Sequence, residues 1–308
     1  MLRYVVLRLL QGILVVFLVS VVTFGIMQLA PGSPVDVMIG EAQVTQAQID
    51  AIERKWGLDR PIHEQYLTWL GNVLRLDFGQ SVIRTGVPVG QMLLEAAPMT
   101  IRLNLLALTI AAALAIPLGI VAAVRRYSLF DYASMLGATL GVALPNYWLG
   151  LMLIILFSLQ LGWLPPFGAE SWRGYVLPVA VLAFGEMAVL ARMARGSTAE
   201  VLTQDFVTTA RAKGLRGAAV IGRHVVRNAL LPVVTLLGYR LAFVLSGTIV
   251  VETIFAWPGI GRLFIDSVYR LDYQVVQAIV LLLSTLVVLG NILTDLAYAY
   301  IDPRIRVG

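Results

Sequence analysis

Apolar runs of about 20 residues, the length needed to cross the hydrocarbon core of a bilayer, recur six times along the chain. They lie at about 9–29, 103–124, 132–161, 176–195, 229–251 and 276–298. The pattern predicts an all-α fold, a polytopic membrane protein with six transmembrane helices. Pro145 interrupts the long third run, and proline inside a spanning helix frees a carbonyl and kinks the axis. A tolerated kink is the plain expectation there, a gating hinge the sharper one. Between the first two runs the pattern changes. Thr45 and Gln48 have the spacing of a capping box, and Ile49, Ile52 and Trp56 then recur on one helical face. Gly57 is a natural stop. After Pro61, residues Tyr66, Trp69 and Leu70 form a second apolar face. The expected organisation is a first span within 1–29, a helical subdomain over 30–100 and a five-span core over 101–308.

Composition agrees. The chain has 308 residues, 59% of them hydrophobic and 13% charged, with mean hydropathy +0.84; a soluble domain carries about 25% charged residues. The absence of cysteine excludes disulfides, thiolate metal sites and a cysteine nucleophile. His63 and His224 are too far apart in sequence to suggest a histidine metal site. Neither lysine, Lys55 nor Lys213, follows a glycine, so a G-x-x-x-x-G-K-[ST] phosphate loop is excluded. If ATP drives this chain, the nucleotide sits on another polypeptide.

The sequence pI near 9.6 reflects arginines that flank the spans, not a separate basic domain of the kind that binds nucleic acid. Arg3 and Arg8 precede the first span, Arg125 and Arg126 follow the second, and Arg304 and Arg306 follow the sixth. The loop at about 196–228, with its flank, adds Arg192, Arg195, Arg211, Lys213, Arg216, Arg223 and Arg227 against only Glu200 and Asp205. Short basic loops stay in the cytoplasm, and six spans with both termini inside put every one of these clusters there. The subdomain at 30–100 is then extracytoplasmic. The first run exceeds the 7–15 residue core of a cleaved signal peptide, and Gln28-Leu29-Ala30 is a poor cleavage site, so it is expected to be retained.

A series of short motifs runs nearly end to end. It comprises Pro31-Gly32-Ser33-Pro34-Val35, Gly57-Leu58-Asp59-Arg60-Pro61, Asp77-Phe78-Gly79-Gln80-Ser81 and Gly162-Trp163-Leu164-Pro165. Thr209-Ala210-Arg211-Ala212-Lys213-Gly214-Leu215 and Arg227-Asn228-Ala229-Leu230-Leu231-Pro232 follow. Glu252-Thr253-Ile254-Phe255-Ala256-Trp257-Pro258-Gly259-Ile260-Gly261 and Asp302-Pro303-Arg304 complete it. In this order the chain resembles the first permease subunit of ABC importers of the dipeptide/oligopeptide (peptide/nickel) family. The resemblance implies a bacterial or archaeal inner-membrane protein that pairs with a homologous second permease, two cytoplasmic ATPases and an external substrate-binding protein. ATP and magnesium belong to the ATPases, with no cofactor on this chain and no bond chemistry. It also implies that Thr209, Ala210, Arg211, Lys213, Gly214 and Leu215 dock on an ATPase. One departure is visible: where the broad importer motif opens Glu-Ala-Ala, this chain has Thr208-Thr209-Ala210, so the glutamate is absent. Physically, a helix on each side of Gly214 would form an elbow with the glycine at the turn; a solvated basic loop at the anionic leaflet is the plainer reading.

Two charges fall inside spans. Glu186 lies midway along the fourth and Arg240 midway along the fifth, at similar depth, where they either pair or line a wet pathway separately. Glu252 and Asp295 fall at span ends and read as ordinary boundary residues. Trp257, Pro258 and Gly259 open an apolar segment that reads either as an outer gate or as an aromatic interface anchor. A proton-coupled transporter with Glu186 as relay is the rival class, but no inverted repeat supports it. An intramembrane hydrolase lacks both a histidine at membrane depth and a Gly-x-Ser-x-Gly turn. Peptides are the substrate expected; nickel, glutathione and oligosaccharides fit the same architecture.

Overall fold

A computed structural model describes the backbone of residues 2–29, 45–245 and 248–301. The Pro31–Val35 and Asp302–Arg304 motifs and Arg306 lie outside the described residues, as do the side chains of Arg3, Ile52 and Trp56. The helices are α1 (Leu2–Leu29), α2 (Gln46–Trp56), α3 (Ile62–Leu74), α4 (Val89–Val124), α5 (Leu129–Ala143) and α6 (Asn146–Gln160, π-helical from Ile154). They continue with α7 (Trp172–Val201), α8 (Asp205–Ala212), α9 (Gly217–Ala242, π-helical over Val220–Val225), α10 (Ile249–Ile254), α11 (Ile260–Tyr269) and α12 (Tyr273–Ile301). Among the described residues, five helices are long and apolar enough to cross a membrane, and the α5–α6 pair makes six if it counts as one span. The fold is all-α and polytopic.

Three spans depart from expectation. The second begins at Val89, so residues 89–100 belong to a long helix and not to a connecting subdomain. Glu95, Pro98 and Arg102 break the apolar run in sequence, yet Val89, Met92, Leu93 and Ala96 are buried at helical spacing against Ile260, Val275, Ala278 and Ile279. The third span does not merely kink at Pro145: α5 and α6 are bent by 102°. Proline forces its predecessor out of the helical region, and Leu144 is extended at φ −79° and ψ 124°. Each half has 15 residues, about 22 Å at 1.5 Å per residue, too short to cross alone. The fifth span was expected over 229–251, but α9 starts at Gly217 and ends at Ala242. Its 26 residues already cover about 39 Å.

The chain divides into two compact units, 1–100 with 245–249 and 258–308, and 101–244 with 250–257, so the expected core at 101–308 is split. In the first unit, α1 and α12 pack so closely that a Cβ on Gly12 would meet Val288 Cγ1 at 2.8 Å. Arg8 and Asp295 join the start of α1 to the end of α12, Nε to Oδ2 at 3.2 Å. Asp295 is therefore an ion-pair partner and not merely a boundary residue. The capping box forms in part: the Gln48 side chain accepts from the Thr45 amide at 2.8 Å, but the Thr45 hydroxyl also turns to that side chain. α3 seats on α1 through Phe24 against Tyr66 and Trp69, with a hydrogen bond between the Ser20 and Tyr66 hydroxyls at 2.9 Å.

In the second unit α7 is the most buried helix, and it is approached through small residues, as is usual between membrane helices. A Cβ on Gly119 of α4 would lie 2.5 Å from the Ala191 carbonyl oxygen, and one on Gly141 of α5 would lie 2.8 Å from Ala188 Cβ.

Candidate functional site

The segment around Gly214 folds as an elbow. α8 has Asp205 in its first turn and Arg211 in its last, both favourable with the helix dipole. It ends in a Schellman motif: the Gly214 amide donates to the Arg211 carbonyl at 2.9 Å and the Leu215 amide to the Ala210 carbonyl at 3.4 Å. Gly214 takes the left-handed position with φ +77°, and a Cβ there would meet nothing within 4 Å. Its conformation, not its space, calls for glycine. The elbow has its own apolar seat of Val201 from α7, Val207 and Ala210 from α8, and Val220, Val225 and Ala229 from α9. Thr209, Arg211, Lys213 and Leu215 face outward. Among the described residues, no salt bridge holds Arg211, Lys213 or Arg216. The Ser197 hydroxyl of α7 donates to the Ala229 carbonyl of α9 at 2.8 Å, fastening the two long helices beside the seat.

Further along the same two helices the structure brings Glu186 and Arg240 together, with Arg240 Nε 3.1 Å from Glu186 Oε2. Glu186 is at the middle of α7 as expected, but Arg240 occupies the last turn of α9. The fifth helix thus ends about level with the centre of the fourth. Phe243 and Val244 leave it as a turn, bonding back to the Arg240 and Leu241 carbonyls. The break before α6 is close by, since a Cβ on Gly185 would lie 3.7 Å from Asn146 Oδ1. The ion pair is close but misaligned: neither Arg240 Nε nor Glu186 Oε2 has a hydrogen-bond partner among the described residues. The side chains stay 37% and 28% exposed, respectively. At the bilayer centre a lipid-facing charge costs about 2.5–3.5 kcal/mol on insertion scales.

Trp257 is fully buried and meets Tyr175 edge-on with ring centroids 4.5 Å apart, which rules out the interface-anchor reading. It follows a second Schellman stop: the Ala256 amide bonds to Thr253, the Trp257 amide bonds to Glu252, and Ala256 is forced to φ +49°. Pro258 comes next, and Gly259 precedes α11, whose Ile260 amide donates to Thr100 Oγ1 at 2.9 Å. The expectation for Glu252 fails. It is completely buried, because α10 packs inward through Val251 and Phe255 against Ile154, Leu177 and Val181, where interfacial solvation was expected.

Two carboxylates were missed. Asp131 of α5 is 2% exposed and takes a two-pronged ion pair from Arg195 of α7, at 2.5 and 2.7 Å. Arg195 reads in sequence as one more loop cation; only the acid in the basic stretch after Arg126 hinted at a partner. Asp272 is buried and accepts from the Ser81 hydroxyl and from the Val82 amide at 3.2 Å, a link across about 190 residues of chain that no local pattern signals.

Residues 115–307 match the family model described as binding-protein-dependent transport system inner membrane component, and residues 1–103 match that of its N-terminal region. The chain is 40% identical to the oligopeptide transport system permease protein AppB of Bacillus subtilis (strain 168), covering 99% of this chain and 100% of that one. It is also 40% identical to the glutathione transport system permease protein GsiC of Escherichia coli (strain K12), covering 99% of each. Among solved structures, a MetNI methionine ABC transporter chain matches with TM-score 0.55 at 17% identity, over 69% of this chain and 97% of that chain. An amino acid ABC transporter chain matches with TM-score 0.52 at 18% identity, over 68% and 94%. Both share the fold. By these matches, the chain belongs to the binding-protein-dependent transport system inner membrane component family, as a multi-pass permease of ABC-importer type.

Proposed function

We propose that this chain forms half of the translocation pathway of an ATP-driven importer of di- and oligopeptides, delivered by an external binding protein. The pathway is completed by a homologous second permease. Two ATPases carry ATP and magnesium and drive it through the Gly214 elbow, with both termini of this chain in the cytoplasm. The observation that carries this reading is the elbow's construction. α8 shares one apolar seat with the ends of α7 and α9, so a push on α8 moves both helices, and those helices hold the Glu186–Arg240 pair. Thr209, Arg211, Lys213 and Leu215 form the docking surface, with Ala210 seating it from beneath and Gly214 making its turn, and it uses Arg211 and Lys213 in the absence of the broad motif's glutamate. Trp257, Pro258 and Gly259 serve as an outer gate, with Trp257 buried against Tyr175. Peptide specificity is supported by the oligopeptide and glutathione permeases among its relatives.

The test is reconstitution of the chain with its second permease, ATPases and binding protein in proteoliposomes. Peptide uptake should require both ATP and the binding protein. Uptake that survives without the ATPases and follows a proton gradient would replace this reading with the secondary-transporter one.

A further inference from the structure

We propose that Glu186 and Arg240 form a charge-exchange station, releasing one another to take the ammonium and carboxylate ends of a short zwitterionic substrate. The inference rests on the peptide-permease reading and adds to it a binding site with named groups.

The molecule contains its own standard for a structural ion pair. Asp131 and Arg195 meet through two aligned bonds at 2.5 and 2.7 Å, with the carboxylate 2% exposed. Glu186 and Arg240 meet through one misaligned approach, with about a third of each side chain open. A charge pair taken out of water is held by good geometry and satisfied hydrogen bonds, and this one has neither. It is built to be exchanged.

The surroundings match that use. Irregular backbone at membrane depth occurs only where it is buried in protein or lines a cavity, and in secondary transporters binding sites form where spans are discontinuous, a physical arrangement that serves equally here. Two discontinuities converge here. α9 stops just after Arg240, and the 102° break between α5 and α6 places Asn146 beside Gly185, next to Glu186. Asn146 adds an uncharged amide at the same level.

The chemistry selects among substrates. A zwitterion replaces each charge with its own counter-charge, so the exchange leaves the site neutral. A divalent metal would repel Arg240, and a neutral sugar would strand both charges. Two extended residues span about 7 Å, so a dipeptide bridges the two side chains once they part.

The experiment uses the reconstituted complex with wild-type, E186Q, R240Q and E186Q/R240Q permease, and three probes: a free dipeptide, its N-acetyl form and its C-amide form. Each probe is first checked for binding to the binding protein. Losing a charge-assisted hydrogen bond should lower free-dipeptide uptake at least about 10-fold in each single variant. E186Q should not lower N-acetyl uptake, and R240Q should not lower C-amide uptake, because each substitution removes the charge that the capped probe would strand. The double variant should be no better than the worse single one. Recovery of uptake in the double variant would identify a structural pair and overturn the station, as would equal loss of all probes or no loss at all. If the binding protein rejects the capped probes, the double-variant comparison decides alone. Where Gln variants do not assemble, E186D and R240K, which keep charge but shorten or reshape reach, should lower free-dipeptide uptake in the station and preserve it in a structural pair. If wild-type complex moves no peptide, the peptide reading itself fails; if it does and the variants do not discriminate, only the station fails.

Discussion

At the residue scale, seven helix stops among the described residues place a residue in the left-handed region, and three of them, Gly57, Gly162 and Gly214, use glycine. Leu76, Ala256 and Leu271 have φ of 63°, 49° and 57°, whereas Gly214 has φ 77°. A side chain in this region costs about 1–2 kcal/mol. At the elbow the glycine meets this conformational demand with open space around it. Gly214→Val should strain the turn by that amount or more, since a β-branched residue is a true outlier there. The expected outcome is normal membrane insertion with uptake lost and ATP hydrolysis no longer stimulated by loaded binding protein. Unchanged uptake and stimulation would show that the elbow does not transmit. Leu76→Gly runs the other way. Leu76 is 79% exposed, so little packing is lost, and relief of strain less the entropy of glycine leaves a gain of at most about 1 kcal/mol. A raised thermal midpoint of the purified chain is expected, and a lowered one would mean that Leu76 is held by a packing contact.

At the scale of elements, α7 is the organising helix, and its contacts are of two kinds. Glycine and alanine set how closely α4 and α5 approach it, while the Asp131–Arg195 pair fixes the register of α5 upon it. Removing one partner of such a pair strands a buried charge, a loss of about 3–5 kcal/mol. Asp131→Asn and Arg195→Gln should each lower the thermal midpoint of the purified chain, and the double substitution should regain part of it. Midpoints that simply add in the double variant would show that the two side chains are not coupled. The α5–α6 break was half visible: Pro145 marked the place, and the prohibition on a helical predecessor supplied the reason. Its angle was not visible, because nothing local says where a released half-helix will find its packing. α6 finds it beside α10, where Phe255 lies 3.3 Å from a Cβ built on Gly150.

At the scale of the whole molecule, the expected topology puts both termini and the elbow on one side of the membrane and α2 on the other. The Arg8–Asp295 pair, which sets the start of α1 beside the end of α12, is the geometry that an even number of crossings requires. Because the chain has no cysteine, single cysteines test this directly. Asp50→Cys should react with an impermeant thiol reagent in intact spheroplasts, and Arg216→Cys only after permeabilisation. The reverse pattern would overturn the orientation.

By itself the sequence determined the solvent this protein lives in, the apolar runs, the elbow with its glycine and the family. Each of these is written locally: twenty apolar residues in a row, a proline or glycine whose φ has few choices, a motif read in order. It also placed Glu186 and Arg240 at one depth, because rise per residue turns sequence position into height. Only the tertiary structure decided that α9 stops at Ala242, just past Arg240, that Glu252 and Trp257 are buried, and that Asp131 and Asp272 are clamped by distant partners. An apolar run looks the same whether it ends at a bilayer surface or beside another helix, and a carboxylate looks the same in water or under an arginine. The partners that decide between these lie tens to hundreds of residues away, and only packing brings them together.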